Sequence, residues 1–205
     1  MKKLIPLLLL LSLNTAGFAQ KNDRTFGQTT PAADRKNVLE NLLRTRDTLI
    51  SETQGLSKAQ WNFRETPERW SIAEIVEHLG NWELLWGREL QMMSQNKPQP
   101  ELRKTCQPDS YYHDFIMEEK PHISPDLSRP TGLIEGSNTI MWFTKLRDIN
   151  IKFAENLKID MRDYFENTNM QYPRNMYNVY IYVWGHVDRH IRQIKKVKAH
   201  PNYPK

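Results

Sequence analysis

Residues 71–93 read SIAEIVEHLGNWELLWGRELQMM, and the spacing within this stretch decides the fold. Ser71 followed by Glu74 three residues on is a capping box, which satisfies two otherwise free amide donors at a helix start. Beyond it Ile72, Ile75, Val76, Leu79, Trp82, Trp86 and Leu90 recur at helical period and form one apolar stripe. The stretch predicts an amphipathic helix from Ile72 to about Met93. A helix with one apolar face needs other elements to cover it.

Those elements lie on both sides in the chain. Over residues 36 to about 54, Val38, Leu39, Leu42, Leu43, Leu49 and Ile50 repeat the helical spacing. Ser57 then opens a short turn of helix, SKAQW, that ends in the region of Pro67. A third long helix fits residues 137–157, with Ile140, Phe143, Leu146, Ile149, Ile151 and Phe153 as its apolar positions. A fourth runs from about 176 to 197, after a polar connection over 160–173. Six of the twelve prolines fall between residues 97 and 136. Proline interrupts helices, so this segment reads as a long crossover with at most one short helix, around 111–117. No alternation of apolar and polar residues argues for a strand. The fold class is all-α: an antiparallel four-helix bundle with one long crossover connection.

Composition narrows the function. The chain has 205 residues, and residues 36–205 suffice for one bundle domain. Eight glycines and no Gly-rich phosphate motif argue against a nucleotide-binding loop. Cys106 is the one cysteine, too few for an internal disulfide or a cysteine-based zinc site, and reads as a small hydrophobe. Residues 1–19, MKKLIPLLLLLSLNTAGFA, have the form of a signal peptide: a basic start, an apolar run, then Ala16, Gly17 and Ala19. The apolar run is too short for a stable membrane anchor, which needs about 20 residues. Residues 20–35 read as a flexible leader. Without Lys2 and Lys3, 27 basic residues face 24 acidic ones. That balance gives no nucleic-acid signature. The expected location is periplasmic or secreted and the expected partner a small-molecule substrate, with a homodimer left open.

The chemistry concentrates in histidines. His186 and His190, within WGHVDRHIRQI, stand four residues apart, which stacks two imidazoles on one helix face. His78 shares a sector with Ile75, Leu79 and Trp82 and so points toward the bundle interior. Taken one at a time, each also fits a half-buried structural imidazole or a solvated pair. His113, His122 and His200 lie in loop-like or terminal contexts, where solvation is the default. Glu74 is explained by capping, and Glu77 by a solvated or supporting position beside the site. Gln193, three residues after His190, fits either support of that ligand or a solvated face. Asp188 is rotated about 200° from His186 on a helix of 3.6 residues per turn, away from any shared ion and toward solvent or a neighbouring helix. Trp82 or Trp184 could line a pocket beside the histidines, although packing explains most tryptophans here. No catalytic serine triad or buried carboxylate pair can be placed.

Two segments carry a family resemblance. GLSKAQWNFRETPERWSIAEIVEHLGNWE at residues 55–83, and GHVDRHIRQIKKVKAHPNYP at residues 185–204, resemble the DinB-like superfamily of metalloenzymes and thiol-dependent S-transferases. Its specific parts are W-S-x-x-E-I-x-E-H-L from Trp70, H-x-x-x-H-x-x-Q-I from His186 and the closing H-P-x-Y-P from His200. The resemblance implies a four-helix bundle with a divalent metal on three histidines, here His78, His186 and His190. An ion held by three neutral imidazoles supports metal-assisted hydrolysis or thiol-group transfer, so with the signal-peptide form of residues 1–19 the expectation is an exported metal-dependent hydrolase or S-transferase, the alternative being a non-catalytic metal- or ligand-binding bundle. Three imidazoles suit zinc best, with nickel, iron or manganese compatible.

Overall fold

The computed structural model describes residues 29–120, 122–166 and 172–205. The signal-peptide reading of residues 1–19 and most of the leader lie outside the described residues. The elements are α1 (Pro31–Thr53), α2 (Lys58–Asn62), α3 (Ile72–Met93), α4 (Asp109–Met117), α5 (Gly136–Asn156) and α6 (Met176–Lys198), with short 3-10 turns between them. Among the described residues no strand forms, and one isolated antiparallel bridge joins Phe165 to Asn175. Among the described residues no helix is long and apolar enough to cross a membrane.

Ser71 closes the capping box read from the sequence, and Ser57 opens α2 as expected, with a capping box of its own. Asn175 closes a third box at the start of α6, which the sequence reading did not single out. The start of α1 differs from the expected leader boundary. The helix begins at Pro31, with Thr30 accepting a hydrogen bond from the Ala33 amide at 3.2 Å. Proline at the first helical position lacks only an N–H that would be unpaired there anyway, so it starts this helix rather than breaking it.

The four long helices form the expected bundle, and the crossover sets its directions. Helix α1 runs beside α6 in the same sense, since Asn37 meets Tyr177, Arg44 meets Asp188 and Glu52 meets Lys198. It runs against α5, with Arg35 reaching Leu157 and Arg46 reaching Asp148. Helix α3 opposes α6, His78 lying by His190 and Trp86 by Tyr182. Helices α3 and α5 are parallel: Gly80 faces Trp142 and Gly87 faces Asn150. Consecutive parallel helices can be joined only by a connection that travels back along the bundle, which is what the proline-rich segment does.

The two glycines, seven residues apart on one face of α3, let α5 approach closely. A Cβ at Gly80 would stand 2.3 Å from the Trp142 ring, and one at Gly87 2.4 Å from the Asn150 carbonyl oxygen. The apolar stripe expected on α5 is rotated. Thr139, Phe143, Arg147, Asn150, Ile151 and Ala154 are buried, while Ile149 is 55% exposed. A buried ion pair causes the shift. Arg147, fully enclosed, donates to Glu83 of α3, to Leu42 O and Thr45 Oγ1 of α1 and to Val183 O of α6. One guanidinium thus ties together all four long helices.

Candidate metal centre

His78 sits in the second turn of α3, where the capping box fixes the phase of the helix. His186 and His190 project from successive turns of α6, which opposes α3. The antiparallel crossing brings the three rings together. His186 Nε2 lies 3.3 Å from His78 Nε2 and 3.0 Å from His190 Nε2. The residues are 2%, 7% and 7% exposed, so the sequence-predicted trio converges in the interior.

The outer nitrogens decide what the inner ones can do. His78 Nδ1 is 2.7 Å from the Ser128 carbonyl, an acceptor only, so that nitrogen carries the proton. His190 Nδ1 is 2.8 Å from Gln193 Oε1, likewise an acceptor. Both Nε2 atoms therefore present bare lone pairs to the same point. A proton on His186 Nε2 could serve only one of them. Burial pushes the His78 imidazole down to about 4 and that of His190 down to about 3. His186 is also held well below its ordinary value, by burial first and by the neighbouring imidazoles second. The cluster stays neutral at physiological pH, with more acceptors than donors. For zinc–nitrogen distances of 2.0–2.1 Å, tetrahedral ligands lie about 3.3 Å apart, matching the observed separations. The donor set and spacing could hold a divalent cation. Among the described residues no carboxylate, thiol or further imidazole joins the group.

The three histidines form part of the wall of a cavity of about 930 Å³. Trp82 and Trp86 stack at 4.4 Å along it, and Trp70 packs 4.9 Å from the His78 ring. Of the two tryptophans expected there, Trp82 lines the cavity, whereas Trp184 is buried in the core beside Tyr177. Trp184 precedes His186 by two residues, a rotation of about 200° that turns it to the other side of α6. Trp70 and Trp86 take its place. Trp86 was legible as the residue two turns after His78; Trp70 has no periodic signal.

Supporting residues divide between expectation and correction. Glu74 caps α3 and pairs with Arg64 at 2.6 Å. Asp188 turns to α1 and forms a two-pronged ion pair with Arg44 at 2.8 and 2.7 Å. Glu77 is not solvated. It is 2% exposed and accepts from the Thr131 amide and hydroxyl and the Gly132 amide, at 2.6–3.0 Å. It pins the crossover close to Ser128, whose carbonyl orients His78. Nothing local in the sequence marks Ser128 for that role. Gln193 supports His190, one of its two expected positions. His122 lines the cavity and pairs with Glu118 at 2.7 Å, while His113 and His200 remain peripheral. Cys106 is half-buried beside Pro173 and Asn175, and burial pushes its thiol up. At the far end of the cavity stand Glu89 and Arg174. Glu89 shares the face of His78, three turns on, a relation visible in the helical period.

The comparisons with known proteins agree with this architecture. YfiT from Bacillus subtilis superposes with a TM-score of 0.58 at 11% identity, covering 87% of this chain and 93% of YfiT. That protein is described as a probable metal-dependent hydrolase with an unusual four-helix bundle topology. No curated protein matches the sequence. The DinB superfamily pattern matches residues 41–194, and the chain belongs to that superfamily.

Proposed function

We propose that the protein is an exported metal-dependent hydrolase acting on a small molecule, with a divalent ion on His78, His186 and His190. One observation carries the reading: bare imidazole nitrogens converge in the wall of a large cavity with no fourth protein ligand among the described residues. A closed structural site would use all four positions of a tetrahedral ion, whereas three ligands leave room for a reactant. When bound, such an ion supplies Lewis acidity. The chain's own groups do the rest. Ser128 O and Gln193 Oε1 keep the protons of His78 and His190 on Nδ1, so the inner nitrogens stay free to ligate. Trp82 and Trp86 form an apolar wall that excludes bulk water from one side of the site. The DinB superfamily membership and the hydrolase description of YfiT support this reading, and the form of residues 1–19 supports export. Zinc suits the donor set best.

The test is elemental analysis of the purified protein beside His78→Ala and His190→Ala, with a panel of ester, amide and phosphoester substrates. The expected result is near-stoichiometric divalent metal in the wild type, background in both variants, and hydrolysis abolished by a chelator and restored by zinc. Equal metal content in all three samples overturns the assignment.

A further inference from the structure

The end of the cavity away from the histidines has an unbalanced charge. Arg174 donates through Nε and Nη2 to both oxygens of Glu166, and through Nη2 again to Glu89 Oε1 at 3.3 Å. Its guanidinium also lies 4.9 Å over the Tyr182 ring. Two carboxylates therefore face one guanidinium, and Glu166 takes its better contacts. Glu89 keeps a long bond to a nitrogen already shared and opens on the cavity.

A ligand anion entering here would meet two carboxylates and a guanidinium already engaged. A neutral ligand would cover a half-buried carboxylate without matching its charge. A cation would match it. An ammonium has three donors for the free carboxylate lone pairs, and the aromatic rings of Trp86, Tyr182 and Phe115 near it favour positive charge. Burial and a hydrogen bond to the adjoining Glu166 push the Glu89 carboxyl up to about 7 against the opposing pull of Arg174, so the surplus charge is present above neutral pH, where a bound ammonium would match it. Around the histidines the lining charges are mixed, with Arg69 and Lys196 beside Glu65 and Glu68. Eleven residues of α3 separate Glu89 from His78, a rise of about 16 Å.

Resting on the hydrolase reading, we propose that the substrate is an extended amine whose ammonium binds Glu89 while its cleavable group lies at the histidines.

Three twelve-carbon hydroxamic acids test this by titration calorimetry on the zinc-loaded protein, ending respectively in an amine, a methyl group or a carboxylate. The amine-ended probe should bind at least tenfold more tightly than either of the others. Glu89→Gln should remove that preference while leaving the methyl-ended affinity within about twofold. Glu166→Gln, which removes the surplus charge from outside the cavity, should weaken the preference as well. Equal affinity of the amine- and methyl-ended probes for the wild type, or a preference surviving in both variants, overturns the proposal. Acetohydroxamate reads the histidine end alone, and phenethylammonium the Glu89 end alone. If acetohydroxamate fails to bind while phenethylammonium still prefers wild type to Glu89→Gln, the metal reading falls and the amine site stands. If acetohydroxamate binds and phenethylammonium shows no such preference, the amine site falls alone.

Discussion

Helix α3 contributes to two buried polar centres, Glu83 with Arg147 and His78 with His186 and His190. At the first, opposite charges meet. The two terminal nitrogens of Arg147 find acceptors on three helices, and Asn150 donates to the second Glu83 oxygen at 2.9 Å. At the second, acceptors face acceptors. His78 and His190 direct lone pairs at one point, their outer nitrogens committed to Ser128 and Gln193, while His186 Nδ1 has no partner among the described residues. The charges of the first centre are matched within the chain, with Arg147 Nε alone left without a partner among the described residues, and the pair organises the bundle. The second is completed only by something positive from outside. Equal burial thus separates architecture from function once donors and acceptors are counted.

The sharpest way to break the comparison is to unbalance the first centre. Arg147→Met strands a buried carboxylate and should cost about 3–5 kcal/mol. In a domain of this size that lowers Tm by about 10 °C. Arg147→Met with Glu83→Leu should recover most of the loss, and thermal denaturation followed by circular dichroism measures both.

The histidine centre should respond to acid. In the unfolded chain His78 takes up a proton near pH 6.5, and in the folded metal-free protein only near 4. Between those values the unfolded state binds more protons, so stability falls as pH drops from 6.5 toward 4. The expected loss from His78 is on the order of 3 kcal/mol. Glu89 titrates in the opposite sense, so the measurement is the difference between metal-free wild type and His78→Ala in denaturant melts at pH 7 and pH 4. Parallel melts would show that His78 is not held neutral by burial.

Smaller effects sharpen the contrast. Gln193→Leu removes the acceptor that orients His190 and should weaken metal affinity about 10–100-fold, with little change in metal-free stability. Competition with a chromogenic chelator reads it. Asp188→Asn loosens a partly exposed pair with Arg44, and should cost less than about 1 kcal/mol and leave metal content unchanged.

His78 was placed with the other two by its sector on α3 and by the family resemblance, whereas the starts of α2 and α3 and the His186–His190 stack were legible because they depend on short spacings: three residues for a capping box, four for stacked imidazoles. What pairs across the molecule was not. Arg147 and Glu83 are charged, so the default places them outside, and only their mutual contact, 64 residues apart, reverses that. With Arg147 inside, the buried face of α5 rotates and Ile149 turns outward, which no reading of that helix alone could anticipate. Pro31 was ambiguous for a different reason, since proline both ends and begins helices and the cap at Thr30 decides between them. The crossover was recognised by its prolines, whereas its contribution of the Ser128 carbonyl depends on where the loop returns. The parallel pairing of α3 and α5 follows from that return.

The spacing of the histidines along the chain has a consequence for biosynthesis. His78 and His186 are separated by 108 positions, and α6 is the last helix of the bundle to leave the ribosome. A nascent chain holds one imidazole of the three through most of its synthesis and gains the others within one stretch of helix. On the proposed metal site, partly made or misfolded chains would therefore lack the full ligand set, and capture of an ion would report that the final helix has docked. Because a ligand that binds only the folded form stabilises it by mass action, the ion would act late, holding a finished molecule closed without directing its assembly.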